Sequence, residues 1–215
     1  MSDTSPTRSA VIELADERRA MREGHVFLDE KCLLLAGEIL RELAHLDRLR
    51  RAYDPRYRAA LATLQGAVLR HGLQGLQVAP PLDLSAATLT VTVRTLMGVR
   101  LQHAEWAAGA AEAAESVQPS PEASACRRAF QDVVAASAEL AAVSGNLERL
   151  SLEYQRSVRR ARALEDVMLP ELDLAIRDIE GRLEELERED AIWMRRGIGD
   201  PPGPGDGPLG SGSAG

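Results

Sequence analysis

Apolar residues in the first third of the chain recur at alternating steps of three and four: Val11, Leu14, Met21, Leu28, Cys32, Leu35, Ile39, Leu46, Leu49 and Tyr53 mark the track. That spacing is a heptad seam, and it predicts a first long helix over 9–71. The seam then runs Tyr53, Tyr57, Leu61, Leu64, Val68. Two successive steps of four form a stutter, which locally unwinds a left-handed supercoil. Pro55 lies in the same stretch and predicts a kink or short break. A second seam places Val133, Leu140, Leu147, Tyr154, Ala161, Met168 and Ala175 seven residues apart, with Val143, Leu150 and Leu164 as companions. It continues through Leu172, Ile176, Ile179, Leu183 and Leu186, and predicts a second long helix over 121–196. Pro170 falls where this seam stutters, so a helix break is expected where the supercoil changes pitch.

Between the helices, residues 72–120 lose the pattern. GLQGLQVAPPLDLSAA carries glycines and a Pro-Pro pair that punctuate structure. In TLTVTVRTLMGVRL, Leu89, Val91 and Val93 alternate with Thr90, Thr92 and Arg94, the signal of a half-buried strand. The expectation is a short β-hairpin at about 88–102, turning at Gly98, with Leu89, Val91 and Val93 against a small apolar patch. The alanine-rich stretch from Gln102 to Val117 reads as a short helix, and SVQPSPEAS as a loop. Residues 1–8 read as a flexible N-terminus and the Gly/Pro-rich residues 197–215 as a disordered tail. The fold class expected is all-α: a long antiparallel two-helix coiled coil with a small β-hairpin region between its arms. At 1.5 Å per residue each arm is roughly 90–110 Å long.

Composition sharpens this picture. Two Trp, three Tyr and two Phe poorly supply a bulky enzyme core, while a narrow helix seam needs mainly Leu, Ala and Val. The net charge of −7 disfavours general nucleic-acid binding, which needs a surplus of cations facing phosphates. Cys32 and Cys126 are too few for a stapled secreted domain, and in this register they lie on the order of 50 Å apart, so both are expected to be free. No apolar run is long enough to span a bilayer, and MSDTSPTRSAVIELADERR lacks a signal peptide's apolar core, which reads as a soluble intracellular protein.

Chemistry is sparse. Lys31, the one lysine, sits in VFLDEKCLL, which is no phosphate-binding loop, and no GxSxG elbow occurs. His25, His45, His71 and His103 are scattered without metal-ligand spacing, and His25 reads as a seam histidine. Glu184 and Glu185 read as solvated helix charges. No catalytic, cofactor or metal site is expected.

Three separated segments carry a family resemblance. SVRRARALEDVMLPELDLAIRDIEGRLEELERED resembles the C-terminal helix of the D subunit of V/A-type ATPases and ATP synthases, through Arg159, Arg160, Arg162, Ala163, Leu164, Glu165 and Pro170, followed by a Glu-rich end. TVTVRTLMGVRL resembles that family's central hairpin, with Met97, Gly98 and Val99 as its Met-Gly-Val. MREGHVFLDEKCLLLAGEIL resembles its first helix, with Lys31 as the matching lysine. The chain departs from the family in its shortage of lysine and in its Gly/Pro tail. The resemblance implies a non-catalytic central rotor shaft whose helix termini enter a hexamer of A and B subunits. Its partners would also include the small F subunit and the C/d adaptor of the membrane rotor. It implies a peripheral place on the cytoplasmic side of a membrane, reached only through the complex, with no nucleic acid and no cofactor. Arg18, Arg19, Arg22, Arg195 and Arg196, near the termini, are the candidate hexamer contacts. The alternative is a free-standing coiled-coil scaffold or adaptor, for which a hairpin between the arms has no evident use.

Overall fold

A computed structural model describes residues 7–76, 87–109 and 120–198. Its elements are helix α1 (Arg8–Leu76), strands β1 (Thr88–Leu96) and β2 (Val99–Ala107), helix α2 (Pro121–Ala163), a π-helical turn (Leu164–Met168) and helix α3 (Leu169–Ile198). The fold class is therefore two long helical arms with a small antiparallel hairpin between them in the chain. The residues fall into two compact units, Val26–Arg162 and Met1–His25 with Ala163–Gly215.

In the unit Val26–Arg162, ion pairs show how the arms run. Lys31 pairs with Glu153, His45 with Glu139 and Arg70 with Glu122, so partner numbers on α2 fall as those on α1 rise. That is antiparallel packing. Leu35 and Leu150 are fully buried across the seam, and Val133 and Val143 are buried on α2. Above Pro55 the buried positions are Ala60 and Ala67, both with no exposed surface, rather than the expected Tyr57 and Leu61, which are exposed. Alanine lets helices approach closely, so the larger side chains turn outward, and Tyr57 stacks on Tyr53 with ring centroids 5.9 Å apart. The expected break at Pro55 is absent, and the residue with non-helical backbone inside α1 is Gly72, at φ 68° and ψ 167°. Pro55 and Arg51, whose carbonyl loses its partner, are both exposed, so water can satisfy that carbonyl.

The hairpin is longer than its sequence signal. β2 continues to Ala107, so the helix expected from Gln102 is instead strand over its first six residues. Cross-strand pairing with β1, from Leu96↔Val99 to Thr88↔Ala107, overrides the alanine-rich bias there. Ala108 and Gly109 of that stretch are in neither helix nor strand; its remainder, the first four residues of the loop SVQPSPEAS, most of residues 1–8 and nearly all of the tail lie outside the described residues, and residues 121–124 of that loop already form the start of α2. Met97 and Gly98 both have positive φ, 48° and 85°, the two-residue turn whose twist suits a hairpin.

The buried face of the hairpin is opposite to the one expected. Leu89, Val91 and Val93 are 52%, 46% and 46% exposed. Val99 and Leu101 are buried and join Leu35 and Leu150 in one cluster, with Ile39, Leu96 and Tyr154 packed against it. Alternation along β1 correctly marks a strand, but the apolar residues of β2 occupy the other face, and docking on the helices chose theirs.

In the other unit, Arg8 pairs with Glu187, Arg18 with Asp173 and His25 with Glu165, again with falling partner numbers. Ala10, Ile176 and Ile179 are buried. Met168 and Leu186, expected in the seam, are 38% and 46% exposed. Met168 belongs to the π turn, where the Leu169 N–H donates to the Leu164 carbonyl five residues back. The wider turn shifts the helix face and opens room where the ring of Pro170 meets the carbonyl four residues before it.

Leu101→Ala should destabilise the docked hairpin by about 2–5 kcal/mol. Val91→Asp, at a half-exposed position, should change it by under about 0.5 kcal/mol. Amide exchange of Val99–Ala107 measures both; equal loss of protection in the two variants would contradict the assignment of faces.

Candidate partner-binding surfaces

Polar residues placed in an otherwise apolar seam hold the hairpin. Glu38 and Glu42 lie one turn apart on the core-facing side of α1, 3% and 9% exposed. Arg94, projecting from β1, donates to Glu38 Oε1 and stands 3.6 Å from Glu42 Oε1. Arg41 joins Glu38 from the solvent side. Across the seam, Asn146 of α2 is buried and imitates a peptide unit. Its Oδ1 accepts from the Gln102 N–H at 2.7 Å and its Nδ2 donates to the Gln102 carbonyl at 2.8 Å. Arg149 donates to the same Oδ1 at 2.7 Å. The outer edge of β2 is thereby closed by a side chain instead of a strand.

These groups border a cleft of about 460 Å³ lined by Glu42, His45, Arg94, His103 and Asn146 among others. Glu42 Oε2 is buried there without a hydrogen-bond partner. Among the described residues no three His, Cys, Asp or Glu side chains are gathered as a metal ion would require. Cys32 and Cys126 are both free thiols, and burial raises the pKa of Cys32 above its ordinary value.

Two of the three motif segments meet in this unit. Lys31 Nζ donates to Glu153 Oε1 at 2.5 Å, with both side chains largely shielded. Val99 packs in the same cluster as Leu35 and Leu150, one helical turn from that pair. Met97 holds the turn in a left-handed backbone that costs a non-glycine residue roughly 1–2 kcal/mol. Arg159, Arg160 and Arg162 are exposed. Of the three, Arg160 acts on Glu153: after the Lys31 hydrogen bond, Arg156 and Arg160 also help hold that carboxyl below its ordinary range. In the other unit Glu165 faces His25 at 3.6 Å, Leu164 is half-buried beside Gly24, and Pro170 is exposed.

The terminal arginines are not equivalent. Arg18 is held by Asp173 at 2.9 Å, which keeps that carboxyl below its ordinary range. Arg19 makes only a loose surface pair with Asp16 at 3.8 Å, while Arg22 and Arg195 are exposed. The side chain of Arg196 lies outside the described residues. Sequence reasoning missed the neighbours that stand out most here: Ile192, Trp193 and Met194 are 51%, 74% and 66% exposed at the end of α3. Three consecutive apolar residues in a charged helix end were the available signal, since so exposed a patch commonly marks a contact surface.

Paired helical arms and a hairpin clamped by polar seam residues define a helical-hairpin class of protein. The model of the ATP synthase D-subunit family matches residues 10–196, and the chain belongs to that family. It is 30% identical over 204 residues to the D subunit of the V-type ATP synthase of Anaeromyxobacter dehalogenans, covering 91% of this chain and 96% of the relative. It is 27% identical over 198 residues to the D subunit of the A-type ATP synthase of Thermococcus gammatolerans, covering 90% and 92%. It is also 27% identical over 199 residues to that of Methanopyrus kandleri, covering 91% and 86%.

The Lys31–Glu153 pair gives a pH-dependent contribution. A carboxylate whose folded pKa is depressed stabilises the fold above its unfolded value, about 4.3, and loses that contribution as pH falls through the lower folded value. Lys31→Met should cost about 1–2 kcal/mol at pH 7, between an exposed ion pair and a buried charged hydrogen bond. In urea titrations the gap between variant and parent should narrow as pH falls below the ordinary glutamate range, and close once the Glu153 carboxyl is protonated in the folded state. A gap undiminished in acid would assign the loss to packing of the lysine stem.

Proposed function

We propose that this chain is the non-catalytic central rotor shaft of a V/A-type ATP synthase/ATPase. It transmits torque between a catalytic A/B hexamer and the membrane rotor ring, coupling ATP turnover to proton or sodium transport. The observation that carries the reading is the D-subunit family match over residues 10–196, which takes in both helical arms and the hairpin. The clamped hairpin supports it over a free-standing scaffold, because seam residues are committed to holding it.

In this reading the two termini of the arms sit in the hexamer's central hole, the F subunit binds along the shaft, and the C/d adaptor receives its other end. The chain meets the membrane only through the complex, on its cytoplasmic side. Among the described residues no helix is long and apolar enough to cross a membrane. Ile192, Trp193 and Met194, with Arg19, Arg22, Arg195 and Arg196, are the hexamer contacts. An apolar knob can turn against a collar without breaking fixed hydrogen bonds, and the exposed Arg195 next to it sets preferred angles. A shaft contact shifts a catalytic interface only as far as it binds that interface's alternative states unequally. Three interfaces around an asymmetric shaft therefore take different states in turn.

Reconstitution with A and B subunits tests this. The chain alone should hydrolyse no ATP, and the full-length chain should restore coupled turnover. Removing residues 1–25 and 180–215 together should abolish coupling. Full coupling by the doubly truncated chain would overturn the reading.

A further inference from the structure

The hairpin has one closed edge and one open edge. On β2 the N–H and the C=O of Gln102 both bond to Asn146, so Gln102 turns its backbone away from β1. Gln102 stands opposite Val93, and backbone direction alternates along an antiparallel pair. Leu89, Val91, Val93 and Thr95 therefore direct their N–H and C=O groups outward along β1. Among the described residues no backbone hydrogen bond reaches that edge. The whole hairpin belongs to one compact unit.

Strand edges that face solvent are ordinarily blunted by lysine, proline, a bulge or shortness. β1 has none of these: it reads TLTVTVRTL, runs nine residues, and pairs one to one from Thr88 to Leu96. Its one charge, Arg94, is committed to Glu38 on the arm-facing side. The outward face of the sheet is apolar along most of its length. Leu89, Val91 and Val93 are about half exposed, opposite Trp106, Ala104 and Gln102. Trp106 Nε1 is buried there with no acceptor. At the turn end the same face carries the exposed Arg100, opposite Thr95. Thr95 is short enough for that arginine to reach past it towards anything added to the edge.

We propose that β1 is a strand-addition site: a β-strand of another polypeptide pairs with residues 89–95 and adds a third strand to the hairpin. Backbone donors and acceptors repeating at every second residue select an extended segment over a helix. The side chains of that segment alternate, with apolar residues on the face of Val91 and Val93 and an Asp or Glu near Thr95, where Arg100 can meet it. A second copy of this chain is the poorer fit. β1 paired antiparallel with itself about Thr92 would set Val91 against Val93, but it would also set Leu89 against Thr95 and leave Arg100 without an acid.

The test replaces Val93 with photoreactive benzoylphenylalanine in the full chain, isolated with its bound partners through a tag. Illumination should join position 93 to one segment of a different polypeptide, in which apolar and polar residues alternate and an Asp or Glu is present. Cross-links confined to this chain or to a second copy, a segment with helical three-and-four spacing, or no cross-link at all would overturn the proposal. Val91→Pro removes one outward N–H and no bond between β1 and β2, as proline on a free strand edge allows. It should keep the amide protection of Val99–Ala107 and lower the cross-link yield about tenfold, the size of a lost hydrogen bond. Val91→Thr keeps the N–H and the branched shape and should lower the yield far less; equal losses in the two variants would overturn the proposal. Should the proline disturb the hairpin, Arg100→Glu decides alone, because it lies at an exposed position and leaves the edge intact. It should also lower the yield, and an unchanged yield would overturn the proposal.

Discussion

Buried polar groups in the seam must find partners, and in this protein the docked hairpin supplies them to Glu38, Glu42 and Asn146 beside those from Arg41 and Arg149 of the helices. Two helices with an unbroken apolar seam would need nothing else. Here Glu38 and Glu42 on α1 and Asn146 on α2 interrupt that seam. Each left unsatisfied would cost about 1–3 kcal/mol, more for the carboxylates. Arg94 answers the two glutamates and the Gln102 backbone answers Asn146. Leu101 and Val99 then fill the apolar space between these contacts. The hairpin is thus positioned by charge and hydrogen bonding and stabilised by burial. A slip of one residue in its register would lose both at once.

The unit made of the two chain ends solves a different problem. Its arms are joined by ion pairs at the rim and a thin line of small and branched residues, Ala10, Ile176 and Ile179. No third element is clamped there among the described residues. The π turn before Pro170 changes which face of the helix meets its partner, and Met168 is left partly exposed as a result. The end of α3 presents Ile192, Trp193 and Met194 outward. Burial within the chain has been given up at these places, and that exposed apolar area is what the rotor reading uses for contact with its partners.

Much of the fold was legible because heptad spacing is a local property. The two arms, the strand character of 88–96 and the turn at Gly98 follow from residue order alone. The signals for the clamp were also present. Glu42 stands on a core position between Ile39 and Leu46, and Asn146, buried at 3%, stands on one between Val143 and Leu150. A polar residue on a seam position announces a third partner, although spacing does not say which. The resemblance carried by Lys31, Met97, Gly98 and Val99 reached the right family before any geometry was known, and the family match bears it out.

Tertiary structure decided what depends on more than one segment. Alternation along β1 could not say which side of the hairpin is buried, because both faces carry apolar residues and only docking on Leu35 and Leu150 discriminates between them. The strand character of 102–107 came from pairing with β1, which outweighs a weak helical preference. The seam above Pro55 moved to Ala60 and Ala67 because how closely two helices approach is a property of the pair. Local spacing determined which elements form. The faces they bury were settled by the partners that could satisfy their polar groups.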